Sequence, residues 1–402
     1  MSRYTYISTD LISGDALADT LPLNVNSFSM QLNGSGSLTG QLNLDQLPRN
    51  NKPFLDALTC RRCVLWVLQD GYPVWAGVVW DWPDQSRAQG TLPIQAQTLD
   101  SLWGKRLITD TLSYSQVDLF QVFTDLVTYG VSKQSNYIMQ GVSPAATRTA
   151  AYLAMVAKSG KVSRLHLPTG AAATCGVNWT SSYTYSDLTQ ITSAWSDMCS
   201  SGQLEWVFQP GLDAVGDLGV FVKLAYLKMG RPVAQSGYAL SYPGNVLDYG
   251  YQLTGSQGAN MIWATAPPNG AQLQWQSVYP HGADLNDLNA GFPLLESTVS
   301  WQGSWVTSQA QINSFADGEV RIYTQGMAMP IINVGGSARP RLRDIILGDS
   351  TTFTATSAIH PPNDDGSPGL QTEVRVVGWT CYPPGPQQSE YIQLQTSGVV
   401  TG

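Results

Sequence analysis

The chain has 402 residues, of which 43% are hydrophobic and only 12% charged, and its formal net charge is −8. Since charged residues usually make up about 25% of a soluble chain, the polar surface must come from Ser, Thr, Gln, Asn and Gly. The apolar content excludes a disordered chain, and the lack of basic clusters beyond Arg61-Arg62 and Lys105-Arg106 excludes the footprint that phosphate neutralisation requires.

The length predicts two to four domains. With 38 Gly, 23 Pro, 13 Trp and 18 Tyr, the composition favours strands joined by tight turns. No stretch approaches the roughly 18 apolar residues of a membrane helix, so no stable membrane insertion is expected. The opening residues lack the basic-then-apolar layout of a signal peptide. Five scattered Cys argue against a disulfide framework, so folding in a reducing cytoplasm is expected.

In chain order, residues 27–32 alternate apolar and polar positions. Gly34-Ser35-Gly36 then turns the chain, and residues 37–44 resume the alternation, as in a hairpin with one buried face. A second hairpin is expected from residues 63–68 and 74–80 around Asp70-Gly71, and a further strand from 90–97. Together these predict an all-β unit, a barrel or sandwich. At Ser115-Gln116-Val117-Asp118 a helix cap is expected, with Leu119, Phe120, Val122, Phe123, Leu126 and Val127 at helical spacing after it. A second helix is predicted with Ser186-Asp187 as cap, a stripe of Leu188, Ile191, Trp195, Met198 and Cys199, and Gly202 just past its end. Strands follow at 204–208, 219–227 and 245–249, a short helix at 308–316, and strands at 373–380 and 390–394 around the rigid turn Pro383-Pro384-Gly385-Pro386. Residues 360–366 read as an exposed loop.

Candidate chemistry is sparse. Cys60 and Cys63 form the one C-x-x-C, but Cys175, Cys199 and Cys381 supply no second pair for zinc. The pair also leads into a strand, away from the helix start that would activate a thiol. His166, His281 and His360 have no partner at metal-helix spacing. Gly348-Asp349-Ser350 with His360 resembles the nucleophile block of a lipase-like esterase family, but in the wrong place in the chain. Among Glu205, Glu296, Glu319, Glu373 and Glu390, Glu205 beside Trp206 offers a cleft acid for glycoside hydrolysis or, more blandly, a solvent-facing strand residue. Trp75, Trp80 and Trp82, and separately Trp301 and Trp305, could stack on sugars or pack a core or subunit interface. No phosphate-binding glycine loop is present. No catalytic, cofactor-binding or metal residue is therefore assigned, and no cofactor is expected.

Several segments, in order, resemble the hub family of tailed phages, particularly minor tail proteins of siphophages infecting actinobacteria. They are Trp75-Ala76-Gly77-Val78-Val79-Trp80; the stretch from Gln95 to Arg106; the helix after Asp118-Leu119-Phe120; the helix from Tyr185 to Cys199 with Leu204-Glu205-Trp206; Gly230-Arg231-Pro232; residues 242–249; and Arg375-Val376-Val377-Gly378-Trp379. The resemblance implies a β-rich α+β multidomain protein with two tail-tube-like β-barrels and α+β insertions. The first barrel would span 1–112, an α+β domain 113–215, the split second barrel 216–258 and 335–402, and an inserted α+β segment 259–334.

It further implies a virion protein assembled in the host cytoplasm, a homotrimeric ring at the tail tip and no enzyme activity. Its expected partners are a distal tail or tube protein, a tape measure protein and a spike or fibre, with DNA passing through without specific binding. A weakly acidic surface suits such a conduit. The competing expectations are a receptor- or carbohydrate-binding tip protein and a cell-wall hydrolase.

Overall fold

The computed structural model describes residues 2–47, 51–83, 90–131, 162–250, 258–266, 275–300, 308–324, 331–336, 338–385 and 389–398. The first β unit comprises β1 (Tyr4–Asp10), β2 (Ala16–Ala18), β3 (Leu23–Gln31), β4 (Ser37–Asn43), the short helix α1 (Lys52–Ala57), β5 (Cys63–Gln69), β6 (Tyr72–Asp81) and β7 (Thr91–Thr98). Both expected hairpins are present. Between β5 and β6 the turn is Asp70-Gly71, with φ of 51° and 84°, and two successive left-handed residues match the twist of the flanking strands.

The middle unit holds β8 (Leu112–Asp118), α2 (Leu119–Val131), β9 (Leu165–His166), β10 (Asn178–Tyr183), α3 (Ile191–Gly202), β11 (Leu204–Leu212) and β12 (Leu218–Tyr226). After it come α4 (Val233–Ser236), β13 (Leu240–Tyr242), β14 (Val246–Gly250), β15 (Met261–Ala266), β16 (Trp275–Gln276), α5 (Leu285–Asn289), β17 (Glu296–Ser300) and α6 (Gln309–Thr324). The last strands are β18 (Ile331–Gly335), β19 (Ser350–Ala355), β20 (Leu370–Tyr382) and β21 (Tyr391–Gly398).

Thirteen strands share one sheet, in the order β2-β1-β5-β6-β7-β4-β3-β20-β21-β18-β14, with β19 and then β13 branching from β20. The 13 residues of β20 explain the branch. Its first half pairs with β19 from Leu370 to Arg375, its second half pairs with β3 from Gly378 to Cys381, and β21 runs along the opposite edge. Phe28 sits at this seam, edge-on to both Tyr4 and Trp379 at 5.9 and 5.7 Å, so one core runs beneath both halves of the sheet.

Strands β5 and β6 are buried on both faces. Cys63, Leu65 and Val67 enter the sheet's core, whereas Val64, Trp66, Ala76 and Val78 enter a second core with α2, α3 and β11. That explains why the segment reads as a continuous apolar run, where a one-sided strand would alternate. In the second core Phe123 stacks on Trp195 at 4.7 Å, and Trp206 meets Trp195 edge-on at 5.2 Å. A Cβ on Gly130 of α2 would stand 2.5 Å from the Trp103 indole nitrogen, so glycine there admits the ring.

The β-rich α+β class is observed, but no sheet closes among the described residues. Residues 115–117 are strand, and only Asp118 caps, its Oδ1 accepting Phe120 N–H at 3.0 Å. Helix α3 starts after Gln190, without a side-chain cap, and its left-handed end falls on Gln203, one residue beyond Gly202. Asp187 instead accepts the Thr184 N–H in a separate turn, and Leu188 is exposed at φ 46°. Helix α6 runs on to Thr324, eight residues past its expected end at 316. β12 pairs with β11 and β9 in a separate three-stranded sheet, and β18 lies in the large sheet. Pro386 of the expected Pro-rich turn lies outside the described residues.

Asp100 follows β7, buried, and accepts hydrogen bonds from Ser35 and Thr98. Burial outweighs them and raises its pKa from 3.8 to about 6. The folded state thus holds this proton more tightly than the unfolded chain. The stabilisation is complete below pH about 3.8 and lost as pH rises through about 6. Asp100→Asn should therefore be more stable than the parent at pH 7, by up to about 3 kcal/mol, with little difference at pH 4. Urea unfolding at the two pH values checks this, and an equal difference at both contradicts it.

Candidate functional site

The residues that carried candidate chemistry are dispersed and committed to structure. Cys63 is buried, and burial pushes its thiol up to about 12, the opposite of an activated nucleophile. Cys60 precedes the strand, beside the left-handed Arg61. His166 stacks on Phe221 at 4.6 Å, His281 Nδ1 lies 2.8 Å from Asp317 Oδ2, and His360 Nδ1 lies 2.9 Å from Tyr249 OH. Among the described residues no group of three His, Cys, Asp or Glu could hold a metal.

Asp349 and Ser350 do not join His360. The Asp349 carboxylate accepts from the Arg231 backbone N–H at 2.8 Å and from its guanidinium at 2.6 Å. This bonding raises the Arg231 pKa further. Trp75 is fully buried and donates to Ser29 O at 2.9 Å, so it cannot stack on a sugar. Trp80 and Trp82 are half-buried and donate to Ser101 Oγ and Leu58 O. Trp301 and Trp305 lie outside the described residues. Of the other glutamates, Glu296 accepts the Trp263 indole N–H, and burial raises the Glu319 carboxyl. Glu390 accepts from Tyr4 OH at 2.6 Å and Gln69 Nε2 at 3.0 Å, tying β1 and β5 to the last hairpin.

Glu205 is neither a cleft acid nor a solvent-facing residue. It receives both terminal nitrogens of Arg375, with Nη1 to Oε1 at 2.7 Å, and the Met229 N–H. The two side chains retain only 12% and 13% exposure. Arg375 also donates to Gly348 O at 3.1 Å and Met229 O at 3.0 Å. Between the two ion pairs, Gly230 and Gly348 pass back to back with φ of 91° and 94°. A Cβ on Gly230 would lie 2.1 Å from the Gly348 carbonyl carbon. Only glycine has both the backbone freedom and the absent side chain for this approach.

Leu204-Glu205-Trp206 therefore reaches three parts of the molecule. Leu204 enters the second core, Glu205 grips β20, and the Trp206 backbone exchanges hydrogen bonds with Asn33 at the β3–β4 turn. Three of the segments on which the family resemblance rests, at Glu205, Arg231 and Arg375, converge on this junction. Sequence reasoning singled out the segments but missed the pairing. The signal available was a charge flanked by apolar residues in each strand, Glu205 between Leu204 and Trp206 and Arg375 between Val374 and Val376.

No protein-family model matches the chain, and no curated protein sequence does. Three solved structures share its fold over nearly the whole length. The 43 kDa tail protein of prophage MuSo2 from Shewanella oneidensis superposes with a TM-score of 0.59 at 11% identity, covering 98% of both chains. The tail protein from Neisseria meningitidis MC58 gives 0.54 at 12% identity, covering 98% of this chain and 96% of that one. Prophage tail protein gp18 from Listeria monocytogenes EGD-e gives 0.52 at 10% identity, with 97% and 94% covered. At these identities the likeness is one of fold.

The junction makes a testable prediction. Glu205→Ala and Arg375→Ala should each cost about 3–5 kcal/mol, because each leaves a nearly buried charge unpaired. The double variant should lose much less than the sum. Denaturant unfolding of the four proteins in a double-mutant cycle checks this, and additive losses contradict it.

Proposed function

We propose that this protein is a structural hub subunit of a long-tailed phage tail tip. Three copies form a ring that joins the tail tube to a distal spike or fibre and lets DNA pass on infection. The observation that carries the reading is the fold shared with three tail proteins, two of them from prophages, across at least 94% of each chain.

In this reading the seven strands β1 to β7 and the six strands β13, β14 and β18 to β21 correspond to the two tail-tube-like barrels, each doing the work of one subunit of a pseudo-sixfold platform. The proposed domains are 1–112, 113–215, the split 216–258 and 335–402, and the insertion 259–334, adjusted at two borders: β12, which pairs with β11 and β9, goes with the middle unit, and β18, which pairs with β14 and β21, goes with the second barrel. The tube protein, the tape measure protein and a spike or fibre are the proposed partners. Five free cysteines and a net charge of −8 support assembly in a reducing host cytoplasm and a channel that does not retain DNA. A hydrolase reading has lost its best acid, since Glu205 is held by Arg375.

Light scattering of the purified protein at high concentration should give about the mass of three 43.5 kDa chains, and negative-stain images should show a ring with a central hole. A compact monomer or dimer without a hole contradicts the ring.

A further inference from the structure

The inserted segment carries a feature that a tube-and-ring role does not use. In β15, Ile262, Ala264 and Ala266 are buried in cores that also hold Ile312, Ala316 and Val320 of α6. The alternation of a strand therefore turns Trp263 and Thr265 to the opposite face. Parallel pairing sets Thr298 beside Trp263, and antiparallel pairing sets Gln276 beside Thr265. Trp263, Thr265, Gln276 and Thr298 line a half-open depression of about 300 Å³ on this sheet face, enough to seat one side of a single small ring. The Trp263 indole N–H donates to Glu296 Oε1 at 2.8 Å, which fixes the tilt of the ring.

The geometry points to a binding site for one neutral pyranoside ring on this face. A pyranoside has a face of C–H bonds and a rim of hydroxyls. The indole offers a flat apolar surface to the first, while the Thr298 hydroxyl and the Gln276 carboxamide offer donors and acceptors to the second, and the Thr265 hydroxyl, which bonds Val299 O and Ser300 Oγ, keeps acceptor capacity. The charge distribution selects against other ligands. No Lys or Arg occurs between Arg231 and Arg321, and among the described residues none lines the depression, so a phosphate, a nucleic acid or an acidic peptide would meet the Glu296 carboxylate without a cation from the lining. A purely hydrocarbon ligand would strip water from the hydroxyls and carboxamide without replacing its hydrogen bonds. The inference goes beyond the hub reading and stands independently of it, since it needs only the inserted segment.

The test uses the full chain and a panel of neutral methyl pyranosides covering hexoses, N-acetylhexosamines and deoxyhexoses, read by saturation-transfer difference NMR. At least one glycoside should give a saturable signal. Trp263→Ala should weaken it about tenfold or more, and Glu296→Gln, which keeps an acceptor for the indole, should retain it. Thermal unfolding checks that Trp263→Ala folds. Thr298→Arg, which fills the pocket from the sheet surface, should block binding independently. Silence across the panel, or a signal undiminished in both Trp263→Ala and Thr298→Arg, overturns the site. Loss of oligomer mass in Trp263→Ala without any glycoside binding also overturns it and assigns the face to a protein contact. Ring formation is read separately, so failure of the sugar site and failure of the hub reading are distinguishable.

Discussion

Glu205 and Arg375 stand 170 residues apart and meet as a nearly buried bidentate pair beside the Gly230–Gly348 crossing. Removing two charges from water costs several kcal/mol each and is repaid only when geometry and accessory hydrogen bonds are good. Here the Met229 N–H completes the carboxylate, and the Gly348 and Met229 carbonyls complete the guanidinium. Such a pair is weak evidence for stability over an apolar substitute, but it fixes how its elements meet. It holds β11, the 229–231 loop and the branching strand β20 in a single relation. Arg231 and Asp349 repeat the arrangement a few residues away. The rest of the architecture follows from that relation. With β20 held, its two halves address β19 and β3, and the two halves of the large sheet become one body over one core.

The parts of this fold legible in the sequence were those with local causes. The β3–β4 and β5–β6 hairpins showed through period-two alternation and through Asp70-Gly71, whose left-handed pair is written into the residue types. Helix α2 showed through its apolar spacing. Errors arose where two local signals competed. Ser186-Asp187 has the composition of a helix cap, but Thr184, Ser186 and Asp187 satisfy one another in a turn, and the helix begins later. Helix α6 continues through Asp317-Gly318 because Val320 is buried under β15, a tertiary gain that exceeds glycine's cost of about 1 kcal/mol. The seam between β3 and β20, some 350 residues apart, had no local signal, and neither did the partners of Glu205.

The same distinction explains why candidate reactive residues that are close in the sequence form no site. Asp349, Ser350 and His360 are near in sequence but hold different partners. Cys63 and Trp75 are packing residues. Glu205, the most promising acid, is a structural member. The short segments that resembled tail hubs proved informative for a physical reason: their polar residues are the ones that join units, so their spacing follows the architecture. The likeness to tail proteins from three bacterial sources over nearly the whole chain at 10–12% identity shows that the fold is compatible with very different sequences.

A hub position at the tail tip is tested most directly by electron cryomicroscopy of phage tails assembled with this chain. Three copies should surround the channel between the end of the tube and the distal spike or fibre, with β1 to β7 and the C-terminal strands alternating around the ring. Finding the chain on a peripheral fibre, or away from the channel axis, would contradict it.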